Sequence, residues 1–350
     1  MEKEKRKTHS KVSVLIPVYN VEKYVRRCIV SVLNQTMQEG VEVIIVNDCT
    51  PDGSMEKIFE ALRAYEESHA EGERVSVRVV NHDTNRGQVA ARNTAMSYAT
   101  GDYVTFIDSD DWVEPSIFED MYRRAVKENA DIVTANYWQD TELSVGKECF
   151  QCLGRDPLEA LLFIRVRACL WSKLFRRSLF TNSGLHQHFS VTLGEDFIMT
   201  VQLFCKATKI IHLPKAYYHY IVRGGSMSHT VSTINMQSLL YLQRFTIGYF
   251  KEKVIYDKYL AGIAFRIIYW QFELLLATKG KAQRQLLRNY RELLSPAAII
   301  KYGKGIGRGR QVAMVFAQAG MLPVYNLLRW VNYVMKGKRP ILFNQKIEEL

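Results

Sequence analysis

The chain has 350 residues, 47% of them hydrophobic and 24% charged, so it has the apolar content for a sizeable core and the length of two domains or of one large domain with an appendage. Six cysteines scattered at 28, 49, 149, 152, 169 and 205 do not form the spacing of a disulfide framework. The net charge of +11 is carried by the last hundred residues, where 18 Lys or Arg stand against 6 Asp or Glu; the first 250 residues hold 29 against 30. That asymmetry points to an anionic surface, either membrane or nucleic acid.

Met1 to Lys11 is charged and lacks the apolar segment of a secretory signal, and the scattered cysteines predict a reducing compartment. Val12 to Val18 predicts a first buried strand. Pro17-Val18-Tyr19-Asn20 is a strand-to-helix turn at which an aromatic ring can face a ligand. Val25, Cys28, Ile29, Val32 and Leu33 then follow the i, i+3, i+4, i+7, i+8 pattern of an amphipathic helix. Val41 to Val46 predicts a second strand, ending in Asn47-Asp48-Cys49-Thr50-Pro51-Asp52-Gly53-Ser54 and leading to a helix with Ile58, Phe59 and Leu62 on one side. Val75 to Val80 predicts a third, followed by Asn85-Arg86-Gly87 and a helix from about Gln88 to Ala99. Tyr103 to Ile107 is a fourth strand, too short for a helix, and Ile132 to Ala135 a fifth. Between them, Pro115 marks a helix start.

The fourth strand runs into Asp108-Ser109-Asp110-Asp111, three carboxylates in four residues. Like charges that close repel, and a divalent cation with hard oxygen ligands, magnesium or manganese, relieves the repulsion. The alternative is an acidic turn ahead of a capped helix. Strands alternating with helices predict a parallel sheet, whose carboxyl ends lie on one rim. Asp48 and the acids 108–111 are therefore expected at one crevice. No Gly-x-Gly-x-x-Gly follows the first strand, which argues against a dinucleotide-binding dehydrogenase.

After residue 150 the pattern loosens. Leu170 to Arg177 mixes bulky apolar and basic residues. Gly194-Glu195-Asp196 precedes an apolar helix, Phe197 to Cys205, and either acid can be a helix-start carboxylate. Ala216 to Val222 predicts a tyrosine-rich strand running into a basic loop, Arg223 to His229. Helical segments are expected near 236–252, 258–278 and 282–294. Val312 to Met335 is mostly apolar but interrupted by Gln318, Pro323, Asn326, Arg329 and Asn332, which disfavours a spanning helix. Flanked by Lys304, Arg308, Arg310, Lys336, Lys338 and Arg339, it reads as an interfacial helix. A helical cap with a solvated basic face is the other reading.

Four stretches, Val12 to Asn20, Val46 to Ser54, Asn85 to Asn93 and Gly101 to Pro115, together resemble the family-two glycosyltransferases of bacterial surface-polysaccharide synthesis. Gly194-Glu195-Asp196 and Arg223 to Ser228 extend the resemblance more loosely. The resemblance implies the GT-A fold, a Rossmann-like, mainly parallel α/β sheet with a helical C-terminal extension. It implies a catalytic domain at 1–230, with a donor half at about 11–115 and an acceptor half at about 116–230, and a basic helical region at 231–350.

The implied activity is inverting transfer of one hexosyl or N-acetylhexosaminyl group from a nucleotide-sugar, with uridine the expected base, aided by Mn2+ or Mg2+. The implied acceptor is a glycan, often lipid-linked. By the resemblance Pro17 and Tyr19 pack on the base, and Asp48 accepts a hydrogen bond from it. Asp108 lies near ribose and diphosphate, Asp110 is the metal ligand, and Asp111 touches the sugar or supports the loop from behind. Arg86 and Arg92 belong to the donor side, although Arg92 can instead brace the acidic loop through an ion pair. Asp196 matches the catalytic base, with Glu195 the second candidate. Arg223 and Ser226 lie in a late loop that closes over the diphosphate. Asn47 stands where many relatives carry a further Asp. Asn326-Leu327-Leu328-Arg329-Trp330 lacks the Gln of the processive Gln-x-x-Arg-Trp motif, so one sugar per encounter is expected.

Two other classes share parts of this pattern. A sugar nucleotidyltransferase has the same layout, but Pro17 to Lys23 does not form its glycine-rich basic loop. A nucleic-acid-binding protein would use the basic tail, which lacks the aromatic, glycine-rich motifs of common RNA modules, so no nucleic acid is expected as a partner. The expected location is the cytoplasm, peripheral on the inner face of the cell membrane, with anionic lipid as the partner surface.

Overall fold

A computed structural model describes residues 10–70, 75–181, 185, 193–223 and 233–335. The chain divides into two compact units. The first comprises Met1–Pro157, Arg167–Phe189 and Met199–Gly224; the second comprises Leu158–Val166, Ser190–Ile198 and Gly225–Leu350. In chain order the elements begin β1 (Val12–Val18), α1 (Glu22–Leu33), β2 (Val41–Asn47), α2 (Ser54–Ser68), β3 (Ser76–Asn81), α3 (Gln88–Tyr98) and β4 (Tyr103–Phe106). There follow β5 (Trp112–Val113), α4 (Ile117–Glu128), β6 (Ile132–Thr141), β7 (Lys147–Cys149), α5 (Pro157–Leu162), β8 (Lys173–Arg176), α6 (Ser178–Thr181), α7 (Glu195–Lys206) and β9 (Ile210–Val222).

The strands form one sheet in the order β3-β2-β1-β4-β8-β6-β9-β5, with β7 added to β6. The run β3-β2-β1-β4 is parallel throughout. β1 lies inside it and is buried along its whole length, which is why its sequence is a continuous apolar run and not an alternating one. On α1 the buried residues are Val25, Cys28, Ile29, Val32 and Leu33, the expected stripe, and they share one core with Val14, Ile16 and Val43 of the sheet. On α2 the buried stripe is Ile58, Ala61 and Tyr65; Phe59, expected on that side, is 45% exposed.

Past β4 the sheet is mixed. β8 enters between β4 and β6, antiparallel to both, and β6 pairs parallel with β9. The stretch read as irregular, Leu170 to Arg177, thus contains a central strand. Its disguise is Lys173, which is fully buried, its ammonium donating to the Arg167 carbonyl at 2.9 Å and to Cys169 Sγ at 3.3 Å. A buried lysine with satisfied donors breaks the apolar run without breaking the strand.

The second unit is helical: α8 (Thr233–Glu252), α9 (Leu260–Ala277), α10 (Gly280–Leu286), α11 (Arg291–Leu294), α12 (Pro296–Tyr302), a 3-10 turn at Gly303–Ile306, α13 (Arg308–Gln318) and α14 (Leu322–Met335). The segment expected as one helix at 282–294 is two, separated around Tyr290, whose φ is +52°. The apolar run from Val312 to Met335 is also broken in two, near Gly320 with φ +82°. By length and composition α9 can cross a membrane, but 72% of its residues are buried in the fold, as in a core helix. Arg329, counted as an interruption of the terminal run, is 8% exposed and donates from Nη1 to the carbonyls of Thr278 at 2.7 Å and Leu275 at 3.2 Å. It satisfies carbonyls that the end of α9 leaves open.

Candidate active site at the strand ends

Parallel pairing of β1, β2, β3 and β4 gathers their carboxyl ends on one rim, and hydrogen bonds tie those ends together. The Asp48 amide donates to the Val18 carbonyl at 3.0 Å, the His82 amide to Asn47 at 2.9 Å, and the Ile107 amide to Leu15 at 3.0 Å. Pro17 is buried in β1, while Tyr19 just beyond it is 45% exposed. The adjacent Asn20 takes φ +55°, so the chain turns at once into α1. Asn20 N–H donates to Thr50 Oγ1 at 2.8 Å, which links the turns after β1 and β2.

Asp48 is 2% exposed. Its Oδ1 receives His82 Nδ1 at 2.7 Å and the Arg86 amide at 2.9 Å, and its Oδ2 receives the Gly87 amide at 2.8 Å. These three bonds use most of the carboxylate's acceptor capacity and make Asp48 the residue that shapes the 85–87 turn. Gly87 suits that turn because its φ of +84° lies in the left-handed region. Arg86 itself is exposed. His82, which the sequence reading did not single out, completes the link by meeting Thr94 Oγ1 through Nε2 at 2.9 Å.

The acidic loop after β4 separates its three carboxylates into three environments. Asp108, with 19% of its side chain exposed, pairs through Oδ1 with Arg92 Nη2 at 3.0 Å and accepts from Gln88 Nε2 at 3.2 Å. Arg92 is 5% exposed, so of the two readings offered for it the bracing ion pair is the one present. Asp111 is 1% exposed and faces inward. Its Oδ2 accepts from the Tyr218 hydroxyl at 2.7 Å and its Oδ1 from the Ile221 amide at 2.8 Å. Burial, reinforced by the charges of Asp110 and Asp108, pushes its carboxyl well above the usual range despite those two donors. A sugar contact through Asp111 is not what this geometry offers; the residue ties the loop to β9 from behind. Asp110, with 21% of its side chain exposed, pairs with Arg223 Nη2 at 2.8 Å.

Tyr218 is the side chain on which this loop rests, and sequence reasoning did not name it. Fully buried, it also accepts from the Asp108 amide at 3.1 Å, and its ring stacks on Trp171 with centroids 4.6 Å apart. Tyr220, two residues on, stacks on the same indole at 5.3 Å. The signal was present as period-two tyrosines in a predicted strand. Burial first, then the charges of Asp111 and Asp108, raises the Tyr218 phenol far above its ordinary value, so it acts as a hydrogen-bonding post and not as a base. Cys28, beneath the loop, is held as a neutral thiol by burial and by the same acids.

Glu195 and Asp196 open α7, both half-buried, in the second unit. Gly194 before them has φ +86°, and a Cβ there would lie 2.4 Å from Leu242 Cδ1, so only glycine fits the entry to this helix. Ser226 lies outside the described residues.

Among the described residues no cluster of three or more His, Cys, Asp or Glu forms a ready-made metal cage. Magnesium-type ions are commonly held by one or two carboxylates plus substrate phosphates. The donor set fits that second arrangement: Asp111 is turned inward, while Asp108 and Asp110 are partly exposed carboxylates at the rim, the first paired with Arg92 and the second with Arg223.

Residues 13–145 match the family described as Glycosyl transferase family 2. Glycosyltransferase GlyA of Streptococcus pneumoniae is 32% identical over 249 residues, covering 66% of this chain but 33% of GlyA, so the chain spans about a third of that relative. EpsH of Bacillus subtilis is 30% identical over 297 residues, 81% of each chain. Among solved structures, Staphylococcus aureus TarS 1–349 in complex with UDP-GlcNAc superposes with a TM-score of 0.68 over 94% of this chain and 92% of that one, at 20% identity. The chain belongs to the family-two glycosyltransferases. Its parallel strand run with crossover helices and its helical C-terminal region are the GT-A fold of TarS.

Proposed function

We propose that the protein moves one sugar from a nucleotide-sugar, with uridine as the base, to an acceptor hydroxyl with inversion, in the assembly of a lipid-linked bacterial surface glycan. The observation that carries this reading is the rim of the parallel strands. There an exposed Tyr19, the turn organised by Asp48 and a partly exposed Asp110 come from three strand ends that hydrogen bonds hold together. Complexes of TarS with UDP-GlcNAc and with UDP, on the same fold, support the choice of a uridine donor.

In this reading the Tyr19 ring lies against the base, and the 85–87 turn borders the donor. Asp110 would hold a divalent cation, which when bound supplies positive charge against the departing diphosphate. Arg92 and Gln88 keep Asp108 in place beside it. Asp196 is the proposed base for the acceptor hydroxyl. A single displacement inverts the anomeric centre, unlike the two-step scheme of paired carboxylates. Peripheral attachment to the inner membrane face is supported by the exposed Val312, Met321, Leu327 and Trp330 of the terminal helices and their vicinity, and by the exposed cations Lys304, Arg308 and Arg310 that precede them in the chain.

The test is a panel of nucleotide-sugars assayed with Mn2+ or Mg2+. Release of free nucleoside diphosphate is expected, and pyrophosphate release would instead mean nucleotidyl transfer. Asp110→Asn should abolish the metal-dependent part of turnover while circular dichroism stays unchanged. Full wild-type activity in excess chelator would remove the metal from the reaction.

A further inference from the structure

Asp110 and Arg223 were expected to serve different groups, one a cation and the other a diphosphate. In the structure they serve each other, Nη2 to Oδ2 at 2.8 Å. The arginine sits in a prepared seat. Its guanidinium lies over the Tyr24 ring at 5.1 Å, and the Tyr24 hydroxyl donates to Glu142, which tethers the far end of the ring. That hydrogen bond, then burial, raises the Tyr24 phenol above its ordinary value, so the hydroxyl keeps its proton. Two residues before Arg223, the Ile221 amide is bonded to Asp111 at 2.8 Å, which fixes the end of β9 against the acidic loop. The guanidinium can therefore change partners by rotating its side chain, with the backbone at Ile221 staying pinned.

We propose that Arg223 is the resident counter-ion of Asp110 and exchanges with the divalent cation. In the donor-free protein it relieves the repulsion among Asp108, Asp110 and Asp111. A guanidinium does not lose its proton, so raising the pH does not release Asp110, whereas a second cation competing for the carboxylate does. Once displaced, it needs a new anion, and a diphosphate offers bidentate oxygens. Metal and nucleotide then bind cooperatively, because each removes a cost that the other would meet alone. This inference rests on the metal role proposed for Asp110.

The experiment is titration of the full-length chain with Mn2+, followed by electron paramagnetic resonance, with and without UDP. Wild type should bind Mn2+ weakly alone and far more tightly with UDP. Arg223→Gln should tighten Mn2+ binding without nucleotide by about tenfold, within the usual range of such couplings, and shrink the gain from UDP. Arg223→Lys should fall between them, and Tyr24→Leu, which removes the seat, should shift binding the same way by less. Unchanged Mn2+ affinity and undiminished coupling in Arg223→Gln, with Asp110→Asn unable to bind Mn2+, would overturn the exchange and leave the proposed reaction standing. Wild-type Mn2+ binding by Asp110→Asn would overturn the metal assignment and the exchange with it.

Discussion

Three carboxylates crowded into four residues were legible as a candidate site, but the different partners of each were not. Asp108, Asp110 and Asp111 look alike in sequence; β9 and α3 tell them apart by giving Asp111 to Tyr218 and Asp108 to Arg92. Asp48 teaches the same lesson, since its partners His82, Arg86 and Gly87 lie 34 to 39 residues away. The base is the residue still to be separated from its neighbour. Glu195 and Asp196 share the first turn of α7, and the helix dipole favours either one equally. Asp196→Asn should lower kcat by about 10²–10⁴, the usual worth of general base catalysis, with donor affinity nearly unchanged. Steady-state kinetics with both variants decides the matter, and a crippled Glu195→Gln beside a mild Asp196→Asn would reassign the role.

Among the elements, the strands and helices before residue 110 could be read because each stands alone as a pattern: apolar runs for doubly covered strands, a 3.6-residue stripe for α1. β8 could not, because its place depends on partners at both edges. The joint that admits it is Asp131 at the start of β6. Its Oδ1 accepts from Arg176 Nε on β8 at 2.9 Å, and its Oδ2 from the Thr208 amide at 2.8 Å and the Lys209 amide at 3.2 Å, just ahead of β9. Burial opposes the charge, but the Thr208, Arg176 and Lys209 donors outweigh it and hold the carboxyl below its ordinary 3.8. A depressed folded pKa adds stability that is complete above the unfolded value and lost as pH falls through the folded one. Asp131→Asn should therefore cost about 1.5–3 kcal/mol at pH 7, the worth of hydrogen bonds to a charged group. In urea denaturation the gap from wild type should narrow as the pH falls below 3.8. A gap that does not change between pH 7 and pH 3 would deny the carboxylate this role.

At the scale of the whole molecule, the basic C-terminal third was expected to carry its apolar run as one interfacial helix. The structure divides that run and buries part of it: Met314 and Tyr325 are fully buried, whereas Leu327 and Trp330 are 59% and 57% exposed. Deleting the tail would thus remove core from the helical unit, and point changes on its outer side are the cleaner probe. Leu327→Glu with Trp330→Glu should weaken cosedimentation with phosphatidylglycerol vesicles without altering donor hydrolysis. Basic residues near an anionic surface are worth about 1 kcal/mol each, so raised salt should release wild type only in part. Equal, negligible binding of wild type to phosphatidylglycerol and to neutral vesicles would leave α13 and α14 as a cap on their own unit.

The sequence by itself determined the alternation of strands and helices, the family, and the stretches from which the site is made. These are local matters: side-chain periodicity, turn residues and short motifs act over a few positions, and their physics is complete within them. Only the tertiary structure decided which of the three acids is turned inward, which arginine pairs with Asp108 and which with Asp110, and that a lysine-bearing segment is a central strand. Burial and partnership are set by residues far apart in the chain. For Asp110 and Arg223 the separation is 113 positions, and no periodicity in either segment encodes the other.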